Sequence, residues 1–214
     1  MPLRAAQPPE TAEIVAATSV ARLASAPEAA FGAPESAASD VALAMPHPIY
    51  TLGLSDLLDR RPLDDLGESD ITGWRYLVQD HARTVAGVEL AVDPETAGVR
   101  FSQLQSGPVA ESTDATIRAA QERDDVRQQS FEVRLLRVPA LYTMALWLND
   151  GDAQQNRDLI IPLAPAPSWL EANRAYSAEE FMDTLYRRAQ ERKKNDPALA
   201  DREPGQEGAG PAGA

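Results

Sequence analysis

Two histidines, no cysteine and thirty-three carboxylates set the chemistry open to this 214-residue chain. Without cysteine there is no disulfide, no thiolate nucleophile and no sulfur-ligated zinc. His47 stands between Pro46 and Pro48; such a run reads as an extended linker with nothing to orient an imidazole, so a solvated histidine is expected. His81 follows Asp80 inside the polar run 79–84. Adjacent residues do not make an Asp-His relay, which needs a ring nitrogen and a nucleophile oriented by the fold.

The most metal-like stretch is 149–158, where Asp150, Asp152, Asn156 and Asp158 carry oxygens suited to a hard cation. Read as a calcium loop from Asp150, it places Gln155 where glycine is needed and Ile161 where the bidentate glutamate belongs. A polar hairpin loop is the expectation, with no metal. Gly53-Leu54-Ser55-Asp56-Leu57 lacks the last glycine of a nucleophile elbow, which leaves Ser55 as a helix N-cap. The glycines never fall at dinucleotide or phosphate-loop spacing, so no cofactor is expected. Glu89, Asp93 and Arg100 are read on the outer face of one hairpin, and Glu132, Arg134 and Arg137 near a second. A carboxylate doing acid-base work needs burial to raise its pKa; these are expected to be solvated cross-strand ion pairs. No catalytic residue is therefore assigned.

A net charge of −13 opposes the polyphosphate that nucleic-acid binders must neutralise, so nucleic acid is not expected as a partner. Eighteen of the twenty basic residues are arginine, a bias that GC-rich coding explains as well as guanidinium chemistry does. The first residues carry Arg4, Glu10 and Glu13 and no uninterrupted apolar core, which argues against a secretory signal or a membrane span and for a cytoplasmic protein.

The elements that must position any site begin late in this reading. Residues 1–47 hold fifteen alanines and six prolines but few large apolar side chains, too little to offset the entropy of ordering. They are expected to be a disordered Ala/Pro-rich tail, flexible or serving as a docking or targeting peptide, in which Thr11–Leu23 forms at most a transient helix presenting Ile14, Val15 and Leu23. Residues 197–214 are expected to be a second disordered tail. Between them, 49–195 reads as one α+β domain with an antiparallel sheet of about five or six strands, two main helices and the order β-β-β-α-β-β-β-α. Trp74, Tyr76 and Val78 alternate with Arg75 and Leu77, and Val88, Leu90 and Val92 with Glu89 and Ala91. A helix follows through Val109, Thr113, Ile117 and Ala120, and another starts with Ser177 and Glu180 at capping-box spacing.

The strands of the second half are apolar on both sides: Leu141, Ala145 and Trp147 on one face, Tyr142, Met144, Leu146 and Leu148 on the other. A half-wet sheet alternates instead, so a further layer must shield them. Each large side chain left exposed would forgo about 1.5–3 kcal/mol. The cover is the acidic, leucine-rich segment Leu54–Leu66 folding back, a second copy of the chain, or a ligand in a pocket lined by Tyr142, Met144 and Trp147. The run 138–148 also reads, less well, as a buried helix. The function expected from this is non-catalytic: contacts with a protein partner or with itself, no membrane, and partner-binding residues Leu54, Leu57, Leu58, Tyr142, Met144 and Trp147. The alternative is a small-molecule enzyme or ligand carrier with a pocket near Tyr142 and Trp147, using Arg134 and one carboxylate.

Overall fold

Strand-forming sequence extends well beyond the runs of plain alternation. In the computed structural model, which describes residues 3–24, 41–81, 83–151 and 157–195, nine strands make one mixed sheet. The elements are β1 (Leu3–Arg4), α1 (Glu10–Ala24), β2 (Val41–Thr51), α2 (Leu54–Leu58), β3 (Ile71–Asp80), β4 (Arg83–Val92) and β5 (Val99–Ser106). They continue as α3 (Pro108–Glu122), α4 (Asp124–Arg127), β6 (Phe131–Val138), β7 (Thr143–Asn149), β8 (Leu159–Pro162), β9 (Tyr176–Ser177) and α5 (Ala178–Asn195). Strand order is β5-β4-β3-β2-β6-β7-β8-β9. β6 carries β7 on one edge; on the other it takes β1 at Leu3 and Arg4 and β2 at Ile49–Thr51, both parallel to it.

The class is α+β as expected, but the strand count and order are not. The sheet is mixed rather than antiparallel, and the main departure lies in the supposed N-terminal tail. Residues 3–24 hold a strand and a helix, and 41–47 open β2; residues 25–40, like 197–214, lie outside the described residues. The area count failed for a physical reason. α1 presents Ala12, Ala16 and Val20 at helical spacing, all buried, to Trp74, Tyr76, Val78, Val88 and Leu90 of the sheet. Small side chains let the helix axis come close, so the large apolar surface removed from water belongs to the strands beneath it. β2 was hidden by its prolines. Its register with β3 slips between Ala44 and His47, and pairing with β6 starts only at Ile49, after Pro48, which fits proline's tolerance at bulges and unpaired edges.

Helices cover both faces of the sheet. On one face α1 lies over β3 and β4. Beside it, α2 and the turn Leu63–Asp65 pack with α5 on Tyr50, Leu136, Ala145, Trp147 and Ile160. On the other face α3 and α4 bring Ile117, Ala120 and Val126 onto Ile49, Leu77, Leu135, Leu146 and Leu148. Residues 143–149 are therefore a strand, and of the three covers weighed for its second flank the Leu54–Leu66 segment is the one seen, joined by α5. Since the chain shields both faces itself, these strands no longer call for a partner. At α2 the N-cap is Gly53, not Ser55: the Gly53 amide donates to Asp56 Oδ2 at 2.8 Å. α5 starts as expected, with the Glu180 amide donating to Ser177 Oγ at 3.1 Å. No helix among the described residues is long and apolar enough to cross a membrane.

Candidate functional site

The six residues singled out for contacts are dispersed. Leu54 and Leu57 are buried against α5, with Leu58 half-buried on the same cluster. Trp147 is also buried there, its indole N–H donating to Asp158 Oδ2 at 2.6 Å and its ring meeting Tyr50 edge-on at 5.1 Å between centroids. Arg134, paired with Glu132 at 2.8 Å, lies over both rings. Met144 points to the opposite face, its Sδ 3.6 Å from Arg75 Nη1. Tyr142 is 79% exposed in the turn before β7, five residues from the buried Trp147. In the metal-like loop Asp152 and Asn156 lie outside the described residues, and the buried Asp158 accepts from Trp147, Asn149 and the Asp150 amide.

What the structure does assemble is a surface on α5. Arg188 and Arg192, one turn apart, lie over Trp169 and Tyr142 at 5.3 and 5.5 Å from the ring centroids. The two rings thus stand in sequence along one helix face, each under a guanidinium. Trp169 was missed because its segment carries no period; the i, i+4 spacing of Arg188 and Arg192 was the one available sign. Tyr142 is held by the β6–β7 hairpin. Val138 pairs with Thr143, and the four intervening residues form a 3-10 turn over Pro139–Leu141 closed by Tyr142 in the left-handed region at φ 51°, ψ 37°. Glycine or asparagine is the easy residue there. A bulky ring in that conformation costs of order 1 kcal/mol, and strain of this kind concentrates where a side chain is used. Tyr142→Gly is accordingly expected to raise stability by about 1 kcal/mol in urea unfolding, less whatever the ring gains from Arg192; a loss of more than about 1 kcal/mol would show that the ring supports the fold.

A second constellation lies under α3. Register alone puts His47, Arg75, Glu89 and Gln103 in one row across β2, β3, β4 and β5. His47, Arg75 and Glu89 are almost wholly buried, which corrects two expectations at once: His47 is no solvated linker residue, and Glu89 is on no solvated face. For Glu89 the cause is α3, which closes over a face that the alternation had marked as wet; for His47 it is that β2 runs on through Pro46 and Pro48, which sets His47 opposite Arg75. Asp93 stays in the turn, where its Oδ1 accepts from the Glu95 and Thr96 amides, and Arg100 stays exposed.

Glu89 holds the cluster together. Gln103 Nε2 donates to it at 2.6 Å, Arg137 Nη2 donates from β6, and Arg75 Nε lies 3.6 Å away. Arg75 donates also to Gln105 Oε1 at 2.9 Å, and its guanidinium occupies the space that a side chain at Gly87 would fill, a Cβ there falling 2.7 Å from Nε. Burial lowers the Arg75 pKa to about 10, against the pull of Glu89, so it remains a cation at neutral pH. His47 Nδ1 donates to the Met45 carbonyl at 2.7 Å, while Nε2 makes no direct hydrogen bond. Burial, opposed by that carbonyl, holds the His47 pKa down at about 4.

The folded state thus keeps this imidazole neutral where the unfolded chain would protonate it. The stabilisation is complete above about pH 6.5 and is drawn down as pH falls to about 4, by on the order of 3 kcal/mol in all. His47→Gln should flatten that part of the stability curve. Urea unfolding of both chains between those pH values measures the difference, and parallel curves would refute it.

The exposed pair His81 and Asp80, with Nδ1 2.7 Å from Oδ1, and the solvent-facing end of β3 complete the placement of the histidines. Compared with known proteins, the chain matches no family model, no curated protein and no solved structure.

Proposed function

We propose that the chain is a non-catalytic cytoplasmic protein that works through protein contacts, as a partner-binding subunit or a homo-oligomer. The observation that carries this reading is the pair of aromatic rings under arginines on α5, with Tyr142 exposed and conformationally strained. Tyrosine, tryptophan and arginine dominate the energetics of protein interfaces: the two aromatics bring large contact area with few rotatable bonds, and arginine brings several hydrogen-bond donors. The six residues expected from sequence contribute one member to this surface, Tyr142. The pocket alternative draws less support, since Tyr142 is exposed in the turn before β7 while Trp147 is buried within it.

The test is a double variant, Tyr142→Ser with Arg192→Ser, in the full chain. Sedimentation should show reduced self-association, or affinity capture a reduced set of retained proteins, with the melting transition nearly unchanged. Identical behaviour of the two chains in both measurements would overturn the reading.

A further inference from the structure

We propose that the α5 face takes an extended acidic segment of a protein partner, with carboxylates two residues apart; this rests on the contact reading above and names the chemistry of its partner. The first argument is charge. Between 187 and 194 the chain carries five bases and one acid, Glu191, although the whole molecule has thirteen more acids than bases. Arg188 is paired with Glu191 at 2.6 Å, but among the described residues no carboxylate pairs with Arg192, Lys193 or Lys194. Arg192 Nε is buried with no hydrogen-bond partner. The helix dipole alone accounts for cations in the last turn, yet it gives no reason for rings beneath them.

The second argument is geometry. A guanidinium stacked on a ring uses its face and can pair with a carboxylate through its edge; Arg188 already does so with Glu191, which an incoming carboxylate would share or displace, while Arg192 has no carboxylate among the described residues. Arg188 and Arg192 are four residues apart on a helix, about 6 Å along the axis. Alternate side chains of an extended strand repeat at about 6.8 Å. Carboxylates at every second residue therefore meet the two guanidinia in turn, while the partner backbone runs past the exposed face of Tyr142. A polyphosphate would also pair with arginines, but it would have to approach a strongly negative molecule. An acidic protein segment meets the same repulsion with fewer charges and gains from the rings.

The experiment uses the full chain and the indole N–H resonances of its three tryptophans, of which Trp74 and Trp147 are buried and Trp169 is half-buried. Titration with an end-capped alternating glutamate–serine octapeptide in about 0.15 M salt is expected to shift the Trp169 resonance saturably and leave the other two still. The double reversal Arg188→Glu with Arg192→Glu should weaken this by about tenfold or more. A block peptide with the same four glutamates made contiguous should bind more weakly. The proposal is overturned by an unmoved Trp169 signal at millimolar peptide, by equal response to an oligolysine or an oligothymidylate, or by binding indifferent to the reversal. If the acidic peptide fails while Tyr142→Ser with Arg192→Ser still alters association, the contact reading stands and this inference alone falls.

Discussion

Glu89→Gln is expected to lower the free energy of unfolding by about 3–5 kcal/mol, because it removes the one carboxylate between two arginines in a nearly dry site. Arg75 is fully buried and Arg137 mostly so, and both direct a guanidinium at Glu89. Glutamine keeps the shape and an acceptor oxygen but no charge, so the cost is that of two buried cations without a counter-ion. Arg75→Met should be milder, about 1–2 kcal/mol, since it takes away one of the two cations and leaves the Arg137–Glu89 pair whole, at the loss of the hydrogen bond to Gln105. Urea unfolding at pH 7 compares them. The informative quantity is the order of the two effects: a larger loss for Arg75→Met would mean that packing, not charge balance, maintains the row.

Trp147→Ala is expected to cost a similar amount, about 3–5 kcal/mol, by a different route. The indole is enclosed by Tyr50, Arg134 and the α5 layer, and truncation opens a cavity that a strand held on both sides by β6 and β8 has little freedom to close. It also withdraws one of the three donors to the buried Asp158. Trp147→Phe separates the contributions. It retains most of the volume and loses the indole N–H, so it should cost about 1–3 kcal/mol. Near-equal losses for alanine and phenylalanine would assign the effect to Asp158 rather than to packing.

The parts of this fold legible in the sequence are those determined locally. The hairpin of β3 and β4, the helix after Gly107 and the Ser177 start of α5 each follow from residues a few positions apart. The two-sided character of β7 and β8 was also legible, and it did imply a cover, though one supplied by the chain itself. What was not legible depends on distant register. Nothing near Arg75 or Glu89 announces that α3 will close over them, and Pro46 and Pro48 argue against the strand that carries His47 into the row. α1 was legible only as a transient helix, and with the wrong face inward, because counting apolar area on the helix alone ignores what the helix covers: Ala12, Ala16 and Val20 are buried while Ile14 is exposed. At the α5 surface, Tyr142 was singled out as a contact residue, but together with residues it does not join; the side chain over its ring, Arg192, lies fifty residues away in sequence.

The seating of β1 beside β6 has a bearing on how the protein is made. Leu3 pairs opposite Phe131, so at ribosomal speeds of about 5–20 residues per second this strand waits roughly 6–25 s for its neighbour to be synthesised. α1 waits as well, for the strands it will shelter. A leucine-rich helix idling that long would invite aggregation, whereas one whose inward face is Ala12, Ala16 and Val20 offers little for another nascent chain to stick to. The same sparseness that disguised this helix as a tail makes it a safe passenger during translation.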